Sequence, residues 1–343
     1  MKNNFNSNSD QSKHANITSK DVRPLLGIED LRTYFFTYNG IAKAVDGVSL
    51  SLKAGETLGI VGESGCGKSV TGLSILRLVP GPYGKIVGGK ILFDGYDILK
   101  LSKQEVTKLR GSRISMIFQE PMTSLNPVFT VGEQISEILR FHKDISRRDA
   151  LNRSVELLKL VGIPSPELRV RDYPYQLSGG MRQRIIIAMA VSCDPQLIIA
   201  DEPTTALDVT IQCQILDLLQ KLQEQMGTAI ILITHDLGVV AENVKKVAVM
   251  YTGRVVELCN VTELFKNPFH PYTIGLLEAV PKIGSRKEKL NTIPGVVPNV
   301  ANLPDGCKFS ERCSASHDKC YSEEPELLDC GSDHFVRCWK YLS

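Results

Sequence analysis

The stretch Gly62-Glu63-Ser64-Gly65-Cys66-Gly67-Lys68-Ser69 decides the fold of this 343-residue chain. It fits the pattern G-x-x-x-x-G-K-[ST], in which glycines let backbone N–H groups curl around phosphate oxygens at a helix N-terminus. A buried-strand pattern precedes it at residues 57–61, and apolar residues at helical spacing follow it at residues 70–78. Strand, loop and helix in this order predict a phosphate-binding loop. We expect Lys68 to reach the β- and γ-phosphates and Ser69 to ligate Mg²⁺.

Composition narrows the class of protein. Hydrophobic residues make up 43% of the chain and charged residues 23%, which is typical of a globular protein. The formal net charge of +2 predicts no basic footprint for nucleic acid. No apolar run is long enough to span a membrane or to act as a secretory signal, so we expect a soluble, cytoplasmic chain that reaches a membrane through a partner. Residues 1–22 are polar and are expected to form a flexible tail.

The rest of the pattern predicts an α/β core with an inserted helical part. Residues 25–60 have a β-rich pattern, and residues 130–192 have mainly helical spacing with breaks near 162–166. Further segments with clear patterns are strands at 90–93, 114–118, 197–200 and 229–234, a helix at 211–226, and a hairpin formed by 247–250 and 254–257.

Two adjacent carboxylates follow the apolar run at 197–200. Asp201 is expected to hold the Mg²⁺ shell, and Glu202 is expected to polarise an attacking water molecule, as phosphoryl transfer requires. Such a pair at a strand end is often only a solvated turn. The glycine loop upstream disfavours that reading here.

The run Leu177-Ser178-Gly179-Gly180-Met181 predicts a helix start, with Ser178 as the cap and two glycines that let an anion approach closely. Together with the glycine loop and Asp201-Glu202, it resembles the nucleotide-binding subunit of ATP-binding-cassette (ABC) transporters over residues 25–265. In that family this helix start faces the γ-phosphate bound to the opposite subunit. The resemblance therefore implies a dimer that holds ATP between two chains.

The same resemblance assigns further residues. Gln119 matches the Q-loop, which senses Mg²⁺ and the attacking water, and His235 matches the switch histidine that contacts the γ-phosphate. Tyr38 or Phe36 would stack on adenine, and we expect alkylation of Cys66 to block ATP binding. The predicted nucleotide contacts are Tyr38, Gly62, Glu63, Ser64, Gly65, Cys66, Gly67, Lys68, Ser69, Val70, Ser178, Gly179, Gly180 and, in the D-loop Ala206-Leu207-Asp208, Asp208.

Beyond residue 265 the pattern changes. The run Asn267-Pro268-Phe269-His270-Pro271-Tyr272-Thr273 resembles the junction found in ATPase subunits of oligopeptide, dipeptide and nickel importers. The following residues carry Cys307, Cys313, Cys320 and Cys338, whose spacing matches neither common zinc sites nor ferredoxins. The resemblance implies a [4Fe-4S] cluster on these four thiols. From the residues themselves, zinc and free thiols remain open, with Cys330 as a spare ligand.

These expectations combine into one hypothesis. The fold class is α/β, a P-loop ABC nucleotide-binding domain at 23–265 with a mixed sheet core, a β-rich subdomain and a helical subdomain at about 120–192; a small Cys-rich extension covers 266–343. The resemblance implies an ATPase at the cytoplasmic face of the membrane that powers import of di- or oligopeptides. Its partners would be a second ABC ATPase subunit, a transmembrane permease and, indirectly, an extracytoplasmic binding protein. The alternatives are an importer of nickel or another small solute, or a soluble ABC ATPase with a redox- or metal-sensing tail.

Overall fold

The computed structural model describes residues 23–38, 40–119, 124–205, 207–280 and 292–341. The tail predicted at residues 1–22 lies outside the described residues, as does Ala206 of the predicted D-loop. No helix in the described part of the chain is long and apolar enough to cross a membrane.

Strands in the described ranges fall into two sheets. In chain order they are β1 (Leu26–Thr37), β2 (Gly40–Leu52), β3 (Thr57–Val61), β4 (Gly84–Phe93), β5 (Tyr96–Asp97), β6 (Ile114–Ile117), β7 (Leu197–Asp201), β8 (Ala229–Thr234), β9 (Lys246–Tyr251), β10 (Arg254–Asn260), β11 (Leu328–Asp329) and β12 (Phe335–Val336).

The β-rich start forms an antiparallel sheet with the order β2-β1-β4-β5. Leu26 of β1 lies opposite Leu52 on one side and Phe93 on the other. These three side chains are buried, so this sheet presents one apolar face to the core beneath the glycine loop. The β-rich pattern predicted at residues 25–60 is confirmed.

The central sheet has the order β11-β12-β10-β9-β3-β8-β7-β6. Strands β9, β3, β8, β7 and β6 run parallel to one another, and every residue of β3, β7 and β8 is buried. Continuous apolar runs are what a parallel sheet covered on both faces needs. Because parallel strands end at the same edge, Val61, Asp201 and Thr234 lie side by side there.

Helices in the described ranges cover this sheet and form the inserted part. They are α1 (Lys68–Ile75), α2 (Lys103–Leu109), α3 (Val131–His142), α4 (Arg147–Leu160), α5 (Pro166–Arg169), α6 (Gly179–Val191), α7 (Val209–Met226), α8 (Leu237–Asn243), α9 (Val261–Lys266), α10 (Pro271–Glu278) and α11 (Asp318–Ser322). Short 3₁₀ turns occupy Ile98–Lys100, Pro174–Gln176, Ser310–Arg312 and Trp339–Tyr341.

Helices α3 to α6 lie between β6 and β7, in the segment where the sequence predicts mainly helices. Thr130 caps α3 in a capping box with Glu133, and Ser146 caps α4 through the N–H of Asp149. The predicted break near 162–166 falls between α4 and α5. The apolar faces of these helices join the core of the central sheet, so the insertion is packed against β6, which precedes Gln119, and β7, which ends at Asp201.

The C-terminal part adds its strands to the edge of the central sheet. β9 and β10 form the predicted antiparallel hairpin, β12 pairs with β10, and β11 pairs with β12. Tyr272 and Phe309 belong to the same buried cluster as Tyr251 at the end of β9. The residues after 266 are therefore packed directly against the strand that runs beneath the glycine loop.

Candidate functional site

The glycine loop leaves the end of β3 and enters α1 at Lys68. Gly62 and Gly67 have backbone φ angles of 152° and 102°, in the region that favours glycine. A Cβ atom at Gly62 would lie 2.2 Å from the carbonyl oxygen of Met250, and one at Gly67 would lie 2.1 Å from that of Ala44. Neither position has room for a side chain, so the loop conformation requires both glycines.

Lys68 lies beneath the loop, with 5% of its surface exposed. Its Nζ donates hydrogen bonds to the carbonyl oxygens of Gly62 at 2.8 Å and Glu63 at 3.1 Å. The ammonium group therefore lies inside the curl of the loop, where the pattern expects it.

Cys66 packs into the core rather than facing a ligand. It is 1% exposed, and burial raises the pKa of its thiol. Alkylation requires an accessible thiolate. The expectation that alkylation of Cys66 would block ATP binding is therefore corrected: in the folded chain this thiol is a packing group that reagents do not reach.

Ser69 and Asp201 meet across the loop and β7. Ser69 Oγ donates a hydrogen bond to Asp201 Oδ1 at 2.9 Å. Burial raises the pKa of the Asp201 carboxyl group, while the hydrogen bond from Ser69 lowers it. Oxygen ligands of this kind are those that Mg²⁺ prefers. The structure brings two of the predicted Mg²⁺ ligands together.

Glu202 is the centre of a polar group at the same edge. Gln119 Nε2 donates to Glu202 Oε2 at 3.1 Å, and Thr205 Oγ1 donates to the same oxygen at 2.9 Å. His235 Nδ1 lies 3.3 Å from Glu202 Oε1. The backbone φ of Glu202 is 45°, a strained value for a residue with a side chain, and such strain concentrates at functional sites. Thr205 was not predicted from the sequence.

A cavity of about 600 Å³ connects the loop with this polar group. Predicted catalytic residues and predicted nucleotide contacts share its wall, together with two residues from beyond position 265, Leu276 and Val297. The described residues that line it are Val61, Gly62, Glu63, Ser64, Gln119, Glu202, His235, Leu237, Leu276 and Val297.

The Ser178 segment lies elsewhere on the chain. Ser178 caps α6, because its Oγ accepts a hydrogen bond from the N–H of Met181 at 3.3 Å. Ser178 and Gly179 are exposed and Gly180 is half-buried, and none of them is among the described residues that line the cavity beside the loop. Asp208 is also exposed and caps α7 through the N–H of Ile211 at 2.9 Å. One chain therefore does not bring its own Ser178 segment to its own glycine loop.

The remaining predicted nucleotide contacts are Val70, just after the glycine loop, and the aromatic residues Tyr38 and Phe36. Val70 is half-buried on α1 and packs against the core beneath the loop. Tyr38 lies at the turn between β1 and β2 with a relative exposure of 105%, whereas Phe36 is 40% exposed. Tyr38 thus has a free ring face that a flat ligand could cover.

Two residues of the C-terminal part contact the glycine loop and were missed by sequence reasoning. Tyr272 Oη accepts a hydrogen bond from the N–H of Glu63 at 2.9 Å. Arg312 donates to both carboxylate oxygens of Glu63, at 2.7 Å and 3.1 Å. These pairs are 209 and 249 positions apart in the chain, so no local pattern reveals them.

The four predicted ligand thiols converge. Cys307, Cys313, Cys320 and Cys338 line one cavity of about 270 Å³, whereas Cys330 is exposed and is not among its lining residues. Burial raises the pKa of Cys307 to about 11 and also raises those of Cys313 and Cys338. Burial therefore favours the protonated form of Cys307, Cys313 and Cys338 when no metal is bound.

A second group of possible metal ligands is already satisfied by the protein. Among the described residues, ligand atoms of Glu257, Cys259 and His334 lie within 4.8 Å of one another, and all three are buried. Glu257 accepts hydrogen bonds from the N–H groups of Phe269 and His270 at 2.8 Å and 2.9 Å, and its Oε1 lies 2.7 Å from His334 Nε2. This group anchors the C-terminal part to β10.

Comparison with known proteins assigns the chain to a family. Residues 45–205 match the family described as ABC transporter, and residues 256–320 match the oligopeptide/dipeptide transporter C-terminal region. A probable peptide ABC transporter ATP-binding protein of Sinorhizobium fredii is 52% identical over 92% of this chain and 95% of its own length. The chain belongs to the ABC transporter ATP-binding proteins. It is therefore an ATPase.

Other members of the family are equally similar. The oligopeptide transport ATP-binding protein AppD of Bacillus subtilis is 52% identical over 92% of this chain and 97% of its own length. Among solved structures, the dimeric cassette MJ0796 bound to ADP and Pi matches with a TM-score of 0.62 at 30% identity, over 69% of this chain and 98% of that one. The shared fold confirms the predicted ABC nucleotide-binding domain with its mixed sheet and helices.

Proposed function

We propose that this ABC ATPase powers the import of peptides through a membrane permease, and that ATP binding draws two nucleotide-binding subunits together to do so. This proposal rests mainly on one observation: the predicted ATP contacts lie in two separate places on the chain. The glycine loop, the pair Ser69–Asp201 and Glu202 lie together at one edge of the central sheet, whereas the Ser178 segment is exposed elsewhere. The relatives named above are peptide and oligopeptide transport proteins, which supports peptides as the solute.

The residues at the edge divide the chemistry of phosphoryl transfer to water. Lys68 and the N–H groups of the loop bind the β- and γ-phosphates. Ser69, Asp201 and Gln119 would hold Mg²⁺, which when bound neutralises phosphate charge. These assignments rest on the contact between Ser69 and Asp201 and on the position of Gln119 in the cavity wall.

Glu202 polarises the attacking water, and Gln119 and His235 hold it in place. In support, Glu202 is the one carboxylate in this cavity wall that both Gln119 and His235 approach, within 3.1 Å and 3.3 Å, among the described residues. Tyr38 stacks on adenine, for which its exposed ring is suited. The reaction needs no covalent intermediate, since positioning and charge neutralisation lower its barrier.

The second half of the ATP site comes from a partner subunit, either another copy of this chain or a paralogue. Ser178, Gly179 and Gly180 of one subunit, with Asp208 nearby in the D-loop, face the γ-phosphate on the loop of the other. The first turn of the 13-residue helix α6 supplies N–H groups and the positive end of its dipole. The similar cassette MJ0796 is a dimer, which supports the pairing of two such subunits.

A groove between the core and the helical insertion is the proposed permease site. It is an open cavity of about 300 Å³, whose lining includes Met116 of β6, Phe118 just after it, and Ile138, Ile186 and Met189 from α3 and α6. Phe118 is exposed at its rim. An apolar groove of this kind suits the apolar face of a single helix. A helix of the permease seated here would contact the chain next to Gln119 and place the subunit at the cytoplasmic face of the membrane.

The thiol cavity is the proposed site of a [4Fe-4S] cluster on Cys307, Cys313, Cys320 and Cys338. Ser310 Oγ lines the same cavity, is buried and has no hydrogen-bond partner, so it has a hydroxyl hydrogen to donate to a bound group. When bound, such a cluster supplies a redox centre and cross-links a segment with little core of its own.

Zinc is the alternative occupant. A tetrahedral site with Zn–S bonds of ~2.3 Å holds its sulfurs roughly 3.8 Å apart. Across the described ranges, the four thiols do not form a group whose sulfurs all lie within 4.8 Å of one another. Binding of zinc would therefore require the four sulfurs to move closer together. The domain division at 23–265 and 266–343, with a helical subdomain at about 120–192, belongs to the same proposal.

The substitution Glu202→Gln tests the assignment of the catalytic edge. The variant keeps the volume of the side chain but loses the carboxylate, so kcat should fall by about 10³-fold while ATP binding persists. Light scattering should then detect an ATP-dependent dimer of the variant. The matched control is Glu224→Gln on an exposed face of α7, which should hydrolyse ATP like wild type. Wild-type turnover of Glu202→Gln would refute the role of Glu202.

A further inference from the structure

Arg312 is enclosed by polar and aromatic groups. Its Nε donates to the carbonyl oxygen of Pro294 at 2.9 Å, and its Nη1 lies 3.4 Å from Tyr251 Oη. The guanidinium lies over the rings of Tyr251 and Phe309 at 5.8 Å and 6.0 Å. Only 5% of its side chain is exposed. These contacts orient the guanidinium so that Nη1 and Nη2 each direct an N–H group to Glu63.

Glu63, the second residue of the glycine loop, is held through each of its polar groups. Its N–H donates to Tyr272 Oη, and its carbonyl oxygen accepts from Lys68 Nζ. Its carboxylate accepts two hydrogen bonds from Arg312. A two-point pair of this kind fixes orientation as well as distance. The C-terminal part thereby determines where this stretch of the loop backbone lies.

Charge gives the pair a second consequence. Glu63 lines the cavity beside the loop, and 28% of its side chain is exposed. An unpaired carboxylate there would repel the phosphates of ATP, since like charges near a partly buried site interact strongly. Arg312, which is not among the described residues that line this cavity, pairs with the carboxylate and cancels this charge.

We propose that Arg312 is a positioning residue for ATP: it holds the glycine loop through Glu63 and neutralises the Glu63 carboxylate. It lies in the 3₁₀ turn Ser310–Arg312, between Cys307 and Cys313 of the thiol cavity. Any change in that cavity that moves this turn therefore moves the loop. The inference rests on the proposed role of the loop in binding ATP, and it holds whatever the thiols bind.

The test is the steady-state kinetics of ATP hydrolysis by Arg312→Gln in the full chain. A displaced and more negative loop should raise KM for ATP about tenfold and leave kcat within about twofold, because Glu202 and its partners are untouched. Arg312→Lys restores the charge but not the two-point contact, so its KM should be intermediate. The matched control is Glu324→Gln, which breaks the ion pair between the C-terminal part and Arg254 without touching the loop.

A second variant separates this role from a loss of folding. Glu63→Gln removes the charge from the loop side, so combining it with Arg312→Gln should lower KM below that of Arg312→Gln alone. An unchanged KM in folded Arg312→Gln, or strictly additive effects of the two substitutions, would overturn the inference. Binding of a fluorescent ATP analogue to Lys68→Ala tests the role of the glycine loop separately from the role of Arg312. Loss of binding there together with normal KM in Arg312→Gln removes only the role of Arg312, whereas normal binding in Lys68→Ala removes the role of the loop itself.

Discussion

Two regions of this chain are held in place by different physical means: the nucleotide edge, which is the edge of the central sheet that carries Ser69, Asp201 and Glu202, and the C-terminal part after residue 266. At the edge, short polar segments follow buried parallel strands, so the sheet itself brings Ser69, Asp201 and Glu202 together. The C-terminal part has strands of two residues and helices of eight and five, and besides the pairing of β12 with β10 it is held by side-chain contacts to the core. The edge is positioned by the backbone of the sheet, whereas the contacts of the C-terminal part with the glycine loop are made by the side chains of Tyr272 and Arg312.

This difference predicts where substitutions act. A change at the edge removes a group that acts on the reacting phosphates and should lower kcat. A change in the C-terminal part loosens contacts that hold the loop and the sheet edge, so it should lower stability or raise KM. Glu63 is the point at which the two regions meet.

The largest expected effect is that of Ser178→Arg. Loss of hydrolysis in this variant would show that the nucleotide edge of one chain needs a Ser178 segment to hydrolyse ATP. A bulky side chain at the start of α6 should keep this segment from closing on the γ-phosphate bound to the partner subunit and lower kcat about 10³-fold, while binding of a fluorescent ATP analogue to the variant's own loop stays within about twofold. Ser146→Arg places the same change at another serine cap in the helical insertion and should leave hydrolysis intact. Normal hydrolysis by Ser178→Arg would show that one chain suffices.

An intermediate effect is expected in the thiol cavity. Cys313→Ser should lower the iron and acid-labile sulfide content of anaerobically purified protein, remove the brown colour and lower the free energy of unfolding by about 2–4 kcal/mol. Cys330→Ser is the matched control, because Cys330 is exposed and lies outside the cavity wall. If metal analysis finds neither iron nor zinc in the wild-type protein, both proposed occupants of the cavity are wrong. If it finds zinc alone, the site binds zinc and not an iron–sulfur cluster.

The smallest effect is expected from Tyr272→Phe, which removes one acceptor from the loop. The N–H of Glu63 loses its partner, so the free energy of unfolding should fall by about 1 kcal/mol and KM for ATP should rise about two- to threefold. Thermal unfolding and ATPase kinetics measure these changes. The matched control is Tyr321→Phe. Tyr321 is exposed and hydrogen-bonded to Ser316, so this variant should change neither the free energy of unfolding nor KM. A lowered kcat at unchanged KM would contradict a purely positional role.

The nucleotide edge was largely predictable because its chemistry lies in contiguous segments. The strand at Thr57–Val61 has the predicted bounds, and the acids at 201 and 202 follow a buried run whose place in the sheet is set by its apolar residues. Once these strands are adjacent, their polar ends must be adjacent too. The convergence of four cysteines followed from resemblance rather than from spacing.

Long-range side-chain contacts were not predictable. The pairing of Arg312 with Glu63 depends on how the C-terminal part packs against β9, and an arginine beside a cysteine has no distinguishing local pattern. The same holds for Tyr272, which reads as one more apolar position on a short helix. The burial of Cys66 was missed because a loop position does not reveal which way its side chain points.

A complementation assay tests the central claim, that ATP is held between the loop of one subunit and the Ser178 segment of another. Lys68→Ala and Ser178→Arg each inactivate both sites of their own dimer. A mixed dimer of the two variants has one site with both defects and one intact site. Mixing should therefore restore a substantial fraction of the ATPase rate, rising with the concentration of the second variant. A mixture that stays as inactive as its components, with both chains folded, would contradict the shared site.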